Sequence, residues 1–107
     1  MQKVRIALLG VSWWTDIVWE GFSISEHVEV HAVASRNSEN AENFARKHNI
    51  PRWFSSYEDT IMHPDIDAVY IGVPNHLHHH LAMLALRSGK HVFQEKPMAL
   101  NSSEAAL

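Results

Sequence analysis

The sequence contains no cysteine, which excludes disulfide bonds and thiolate chemistry and suits a reducing compartment. It also lacks a basic excess, because nine Lys and Arg stand against twelve Asp and Glu. Nucleic-acid binding requires a basic face, so we expect no nucleic-acid partner. The apolar start, residues 4–11, is too short to cross a bilayer, so we expect no membrane partner. These absences indicate a cytoplasmic globular protein, and 107 residues correspond to one domain at most.

Short apolar segments alternate with amphipathic segments along the whole chain. Buried strands are predicted at Val4–Leu9 and 67–73, further strands at Val28–Ala34 and His91–Gln94, and a short edge strand at Arg52–Phe54. Four helices are predicted. The first spans about 13–22, the second begins at a cap at Ser38, and the third begins at a cap at Ser56. The fourth has an apolar stripe at Leu77, Leu81, Leu84 and Ala85 and ends at Gly89. This alternation predicts an α/β fold, a doubly wound parallel sheet of about five strands.

The ends of the predicted strands carry the residues of greatest functional interest. Parallel sheets bind ligands beyond the carboxyl ends of their strands, at the point where the strand order reverses. Four of the five predicted strands end in residues that are unusual for plain loops: Gly10, Ser35-Arg36, Pro74-Asn75 and Glu95-Lys96-Pro97. Their convergence predicts a ligand-binding crevice along this edge of the sheet.

Two spaced motifs are similar to those of the Gfo/Idh/MocA oxidoreductases. They are Pro74-Asn75-x-x-His78, and Gly89-Lys90-His91-Val92 followed by Glu95-Lys96-Pro97. The segments 44–51 and 56–58 also resemble this family, most closely its dihydrodiol and sugar dehydrogenase branches. The resemblance spans essentially the whole chain. It implies a Rossmann-type domain of an enzyme that transfers hydride between a nicotinamide cofactor and a sugar, polyol or dihydrodiol-type alcohol or carbonyl.

The loop after the first strand departs from the usual dinucleotide fingerprint, G-x-G-x-x-G/A. Gly10 is present, but Ser12 and Thr15 replace the second and third small residues. Ser12 can donate its hydroxyl to a phosphate oxygen, whereas Thr15 places a β-branched residue where close packing is wanted. We still expect an anion site at this helix N-terminus. Trp14 is predicted to fill core space behind the loop, and Trp13 either to lie over the cofactor or to cover the helix end.

Ser35 and Arg36 end the second strand, where NAD-specific folds place an acidic residue for the ribose hydroxyls. An arginine there accommodates the 2′-phosphate of NADP instead. NADP is therefore the first choice of cofactor and NAD the second. The alternative is a solvated arginine at the end of a strand.

The resemblance supplies the remaining site residues. It implies that Lys96 points at the nicotinamide and the reacting carbon–oxygen bond, where an ammonium can stabilise alkoxide charge. It implies that Glu95 helps to hold this lysine, and that Pro74, Asn75 and His78 belong to the cofactor site. The alternative for residues 95 and 96 is a surface Glu-Lys pair in a turn. Asn75 is also suited to cap the following helix.

A dense histidine cluster accompanies His78. His76, His79 and His80 are its other members, and His76 and His80 are helical neighbours. A metal site needs three or four converging ligands with supporting partners, so an exposed helix face is the better interpretation. We expect no metal.

The end of the sequence predicts a helix that begins near Ser102, since Asn101 and Glu104 have capping-box spacing. The resemblance implies a further strand and a substrate domain beyond it. Residues 1–107 are therefore interpreted as an incomplete dinucleotide-binding domain, a fragment that meets a small-molecule substrate only with that second domain. The uncovered sheet edge predicts self-association. A non-catalytic nucleotide-binding module or an inactive gene fragment is the alternative.

Overall fold

The computed structural model describes residues 3–73 and 75–94, apart from the side chains of Asn75 and Gln94. Its elements are β1 Val4–Leu9, α1 Thr15–Ser23, β2 Val28–Ala34, α2 Ser38–His48, β3 Arg52–Phe54, α3 Tyr57–Met62, β4 Ala68–Ile71, α4 Asn75–Arg87 and β5 His91–Gln94. The five strands form one parallel sheet in the order β3-β2-β1-β4-β5. The predicted doubly wound α/β fold is confirmed.

The strand order reverses at the centre of the sheet. From β1 the chain builds β2 and β3 on one side, then returns to place β4 and β5 on the other side of β1. The connections that leave β1 and β4 therefore diverge and leave a crevice between them. The carboxyl ends of these two neighbouring strands thus lie side by side at this crevice.

Helices cover both faces of the sheet, and β1 is buried between them. Its side chains alternate because successive residues of a strand point to opposite faces. Ile6 and Leu8 pack towards the α1/α2 face, whereas Ala7 and Leu9 pack towards the α3/α4 face. All four are fully buried. The uninterrupted apolar sequence of this strand follows from its central position.

Two predicted helix starts are wrong. Helix α1 begins at Thr15 instead of residue 13, because residues 12–14 form the turn that leads into it. The cap of α2 is Asn37, not Ser38: Asn37 has an extended backbone, and its side-chain oxygen accepts a hydrogen bond from the Asn40 amide at 3.1 Å. Ser38 is already helical. The prediction of Ser56 as the cap of α3 is confirmed by a 3.2 Å hydrogen bond from the Asp59 amide.

The amino-terminal side of the sheet is held by charged groups. Asp67 precedes the observed β4, which is shorter than the predicted strand, and accepts hydrogen bonds from the amide and side chain of Arg5. Lys90 donates to the carbonyl oxygens of His63 and Ile66. Gly89 has φ +77° and follows α4, as predicted for a helix terminator. Among the described residues, no helix is long and apolar enough to span a membrane.

Candidate functional site

Gly10 brings the loop after β1 into backbone contact with the loop after β4. Its φ is +103°, and a Cβ atom added there would lie 2.7 Å from the carbonyl oxygen of Gly72. The Gly10 amide donates to the Ala34 carbonyl oxygen at 2.8 Å, and the Gly72 amide donates to that of Leu9 at 2.8 Å. The crevice floor is therefore made of main chain, where only glycine fits and a ligand can approach closely.

Thr15 closes this loop, which the fingerprint comparison did not anticipate. The side chain is 4% exposed, and its hydroxyl donates to the Gly10 carbonyl oxygen at 3.2 Å. The hydroxyl oxygen of Thr15 in turn accepts a hydrogen bond from the Ser12 amide at 2.8 Å. The expectation that a β-branched residue is unfavourable at this position was wrong. The Thr15 hydroxyl forms hydrogen bonds with the Gly10 carbonyl group and the Ser12 amide, which a glycine or alanine at position 15 could not do.

Ser12 is exposed at the crevice end of α1. Its hydroxyl oxygen accepts a hydrogen bond from the Trp14 amide at 3.3 Å and lies 3.4 Å from the Thr15 hydroxyl. The hydroxyl proton of Thr15 is directed to Gly10, so the longer contact leaves the Ser12 proton weakly engaged. Ser12 is thus placed and chemically suited to donate to an anion.

The two tryptophans differ in their surroundings. Trp13 is 78% exposed and lies edge-on to Trp14 at 5.4 Å, so it covers little of the helix end. Trp14 does not fill core space: it is half-buried and lines an apolar cavity of about 410 Å³ that Phe22 and Phe93 also border. The reason is that α1 covers β1 and β2, and within the described residues nothing fills the space beside β4 and β5 on this face.

Asp16, in the first turn of α1, is neutralised by α2. It accepts hydrogen bonds from His48 at 2.7 Å and Lys47 at 3.1 Å, and these two partners lower the pKa of the carboxyl group. His48 is mostly buried and stacks on Trp19 with ring centroids 4.0 Å apart. A cationic partner at this position reduces the repulsion that Asp16 would exert on an anion at the helix N-terminus. Sequence spacing could not indicate this pairing across 32 positions.

Ser35 and Arg36 follow β2 at the same edge of the sheet. Ser35 is buried, and its hydroxyl accepts a hydrogen bond from the Asn37 amide at 3.2 Å. Arg36 is exposed, and its guanidinium carbon lies 5.9 Å from the centre of the Tyr57 ring. No carboxylate in the described part of the chain pairs with Arg36. Its charge is available to a ligand.

His78 has a partner at the end of β4. Its Nε2 lies 3.1 Å from the Ile71 carbonyl oxygen and donates to it, which ties the first turns of α4 to the strand end. Asn75 is the first residue of this helix. His76, His79 and His80 are exposed, and His80 lies 3.5 Å from Glu58. No three His, Cys, Asp or Glu side chains converge on a common point within residues 3–73 and 75–94, and the expected absence of metal stays a prediction.

Several predicted residues lie outside the described residues. They are Pro74, Glu95 and Lys96, together with the helix expected near Ser102. The structure brings the others together along the carboxyl ends of three adjacent strands: Gly10 and Ser12 after β1, Ser35 and Arg36 after β2, and His78 beside β4. They therefore lie at the switch point, where parallel α/β sheets bind their ligands.

Comparison with known proteins shows the family of this chain. Residues 4–106 match the model of the GFO_IDH_MocA family, described as an oxidoreductase family with an NAD-binding Rossmann fold. The chain belongs to the Gfo/Idh/MocA family. It is an NAD(P)-binding Rossmann domain of this oxidoreductase family, as its motifs predict.

Named relatives support the assignment. The chain is 42% identical over 101 residues to scyllo-inositol 2-dehydrogenase (NADP(+)) of Bacillus subtilis (strain 168), covering 94% of this chain and 31% of the relative. It is 45% identical over 76 residues to trans-1,2-dihydrobenzene-1,2-diol dehydrogenase of Xenopus laevis, covering 71% and 23%. The chain thus spans about a quarter to a third of the length of these relatives.

Solved Gfo/Idh/MocA structures share the fold. Scyllo-inositol dehydrogenase from Lactobacillus casei, with bound NAD(H) and scyllo-inositol, has a TM-score of 0.81 and 28% identity, covering 90% of this chain and 28% of that one. A 3-ketoreductase from Actinomadura kijaniata, with NADP and TDP-benzene, has a TM-score of 0.81 and 30% identity, covering 90% and 30%. Both cofactors therefore occur among the neighbours.

Proposed function

We propose that this chain binds a nicotinamide dinucleotide across the crevice and serves an oxidoreductase that acts on a sugar, polyol or dihydrodiol. The observation that carries the proposal is the main-chain cradle at Gly10, where a side chain would collide with the Gly72 carbonyl group. A pyrophosphate seated against this loop would meet the amide groups at the N-terminus of α1. The exposed Ser12 hydroxyl would donate to a phosphate oxygen, and Lys47 and His48 would offset the charge of Asp16.

Arg36 would give the site its preference for NADP over NAD. It is exposed, lacks a carboxylate partner among the described residues, and follows the strand whose end meets the adenosine ribose in this fold. A guanidinium can bind a phosphate through two parallel hydrogen bonds. The name of the Bacillus subtilis relative includes NADP(+), which agrees with this assignment.

Titration of the chain with NADPH and NADH tests this preference. The wild-type chain is expected to bind NADPH more tightly, and Arg36→Asp should weaken NADPH binding by about 1.5–3 kcal/mol, roughly ten- to a hundredfold, with little effect on NADH. Arg46→Asp is the matched control, since Arg46 lies on α2 and pairs with Glu42 away from the crevice. Equal binding of both cofactors by the wild-type chain would remove Arg36 from this role.

Lys96 is the proposed catalytic residue, and the support for it is the family motif. The cofactor supplies the hydride chemistry, and the ammonium of Lys96 would stabilise negative charge on the substrate oxygen. Glu95 would hold Lys96, and Pro74 and Asn75 would contribute to the cofactor site. We propose that residues 1–107 act together with a substrate domain, whose side chains would choose the alcohol or carbonyl compound.

The cytoplasm is the proposed location, since a cysteine-free chain that uses a reduced nicotinamide suits a reducing compartment. Cell fractionation with an antibody against the chain would test this. Recovery in a secreted fraction would contradict the assignment.

A further inference from the structure

The ring of Tyr57 lies close to the guanidinium that the proposed function assigns to the 2′-phosphate, with the guanidinium carbon 5.9 Å from the ring centre. The two residues are 21 positions apart in the sequence and come from different elements, the end of β2 and the first turn of α3. Tyr57 is 8% exposed and belongs to the buried cluster that also contains Ala34. Arg36, by contrast, is exposed. A fixed ring therefore lies against a side chain that is otherwise free to move.

The local sequence explains why the ring is fixed. Ser56 caps α3 through its hydroxyl, which accepts a hydrogen bond from the Asp59 amide at 3.2 Å, and the Thr60 hydroxyl donates to the Ser56 carbonyl oxygen at 2.7 Å. Tyr57 is the first residue of the helix that these bonds hold. The position of the Tyr57 ring thus depends on a capped and packed turn.

We propose that Tyr57 is a positioning residue for NADP specificity: its ring holds the Arg36 guanidinium at the crevice, ready for the 2′-phosphate. Arginine loses rotamer freedom when it binds a phosphate, and a side chain that is already ordered loses less of it. A guanidinium within about 6 Å of an aromatic centroid is attracted by the negative face of the ring. The guanidinium carries five N–H donors, so it can bind phosphate oxygens while it remains beside the ring.

The effect should be confined to the phosphorylated cofactor, because Tyr57 acts through Arg36 alone. A merely structural role for Tyr57 would instead weaken both cofactors, since both need the same crevice. This inference rests on the proposed role of Arg36, and the two claims fail in different ways.

Calorimetric titration of the wild-type chain, Tyr57→Leu and Tyr57→Phe with NADPH and NADH tests the inference. Tyr57→Leu should weaken NADPH binding about two- to fivefold, the range for an exposed cation–π contact, and leave NADH binding unchanged. Tyr57→Phe keeps the ring and should bind both cofactors like the wild type. With Arg36 replaced by Met, Tyr57→Leu should cause no further loss.

Several outcomes would overturn the inference. Equal weakening of both cofactors by Tyr57→Leu would show a structural role only, and tighter NADPH binding would show that the ring competes with the phosphate. An unchanged NADPH affinity would remove Tyr57 from specificity. Equal affinity of the wild-type chain for NADPH and NADH would contradict the proposed cofactor preference itself. Results from the Tyr57 variants alone do not test that preference.

A measurement on the wild-type chain covers the case in which Tyr57→Leu does not fold. Protons of the Arg36 side chain should be shifted upfield in the NMR spectrum by the ring current of Tyr57, in the wild type and in Tyr57→Phe. Arg36 side-chain shifts at ordinary arginine values in the folded wild-type chain would overturn the inference.

Discussion

Replacement of Gly10 by alanine is the sharpest perturbation of the crevice. The added Cβ would lie 2.7 Å from the Gly72 carbonyl oxygen, 3.1 Å from its carbonyl carbon and 3.1 Å from a methyl group of Val73. Two of these three neighbours are main-chain atoms held by the hydrogen bond from the Gly72 amide to Leu9. They cannot turn away as a flexible side chain would, so the loops after β1 and β4 must separate.

The expected loss of stability has two parts. A positive φ costs a residue with a Cβ about 1–2 kcal/mol, and forcing atoms into a packed region costs about 1–3 kcal/mol more. The reduced entropy of the unfolded chain offsets about 0.4–1 kcal/mol of this. The net loss is about 1–4.5 kcal/mol, a substantial part of the ~5–15 kcal/mol typical of a domain.

Urea denaturation followed by tryptophan fluorescence measures this loss, and Gly21→Ala is the matched control. Gly21 lies in α1, and no atom lies within 4 Å of a Cβ added there. That substitution should stabilise the chain by about 0.5–1 kcal/mol. Gly10→Ala should lower the urea midpoint by about 0.7–4.5 M at an m-value near 1–1.5 kcal/mol/M, and it should also weaken NADPH binding. Equal stability of the two variants would refute the close approach at Gly10.

Three further predictions concern acid stability, self-association and catalysis. The pKa of Asp16 is lowered in the folded chain, first by the hydrogen bond from His48, so the carboxylate stabilises the fold above its ordinary pKa of 3.8 and this contribution is lost as pH falls through the folded value. Asp16→Asn should cost well under 1 kcal/mol at pH 7, since the carboxylate is 43% exposed. It should also flatten the fall in urea midpoint below about pH 4, and an acid profile parallel to that of the wild type would contradict this. The chain should self-associate through its apolar cavity, and light scattering measures this. Ile17→Lys should reduce the association, because Ile17 is 47% exposed on the cavity wall. A monodisperse wild-type monomer would contradict the prediction. In a protein in which the substrate domain is joined to this chain, Lys96→Ala should lower kcat/KM by about 2.7–4 kcal/mol, or roughly a hundred- to a thousandfold, and near-normal turnover would remove Lys96 from the mechanism.

Local patterns were sufficient to predict the strands and the crevice. A buried strand has to be apolar throughout, as β1 is, and the order of strands and helices restricts a parallel sheet to few topologies. The turns at Gly10 and Gly89 were predictable because a positive φ strongly favours glycine. Because parallel sheets bind ligands beyond the carboxyl ends of their strands, the sequence alone predicted Ser35 and Arg36 as site residues.

The features that sequence reasoning missed all depend on residues far apart in the chain. Asp16 and His48 meet only because α1 and α2 lie side by side. Arg36 and Tyr57 meet only because β2 ends and α3 begins at the same edge of the sheet. Thr15 was misjudged for another reason: its fit depends on a hydroxyl that bridges two groups of its own loop, and this depends on loop geometry that a glycine fingerprint does not encode.

The central claim is that a nicotinamide dinucleotide binds at the carboxyl edge of this sheet. Titration of the ¹⁵N-labelled chain with NADPH, followed through its backbone amide signals, tests it most directly. We expect the shifts to concentrate at residues 10–15, 35–37 and 71–73. The opposite edge has a polar depression of about 480 Å³, bordered by Lys3, Ser88 and Lys90, and its signals should stay in place. Shifts confined to that depression, or no shifts at millimolar NADPH, would contradict the account.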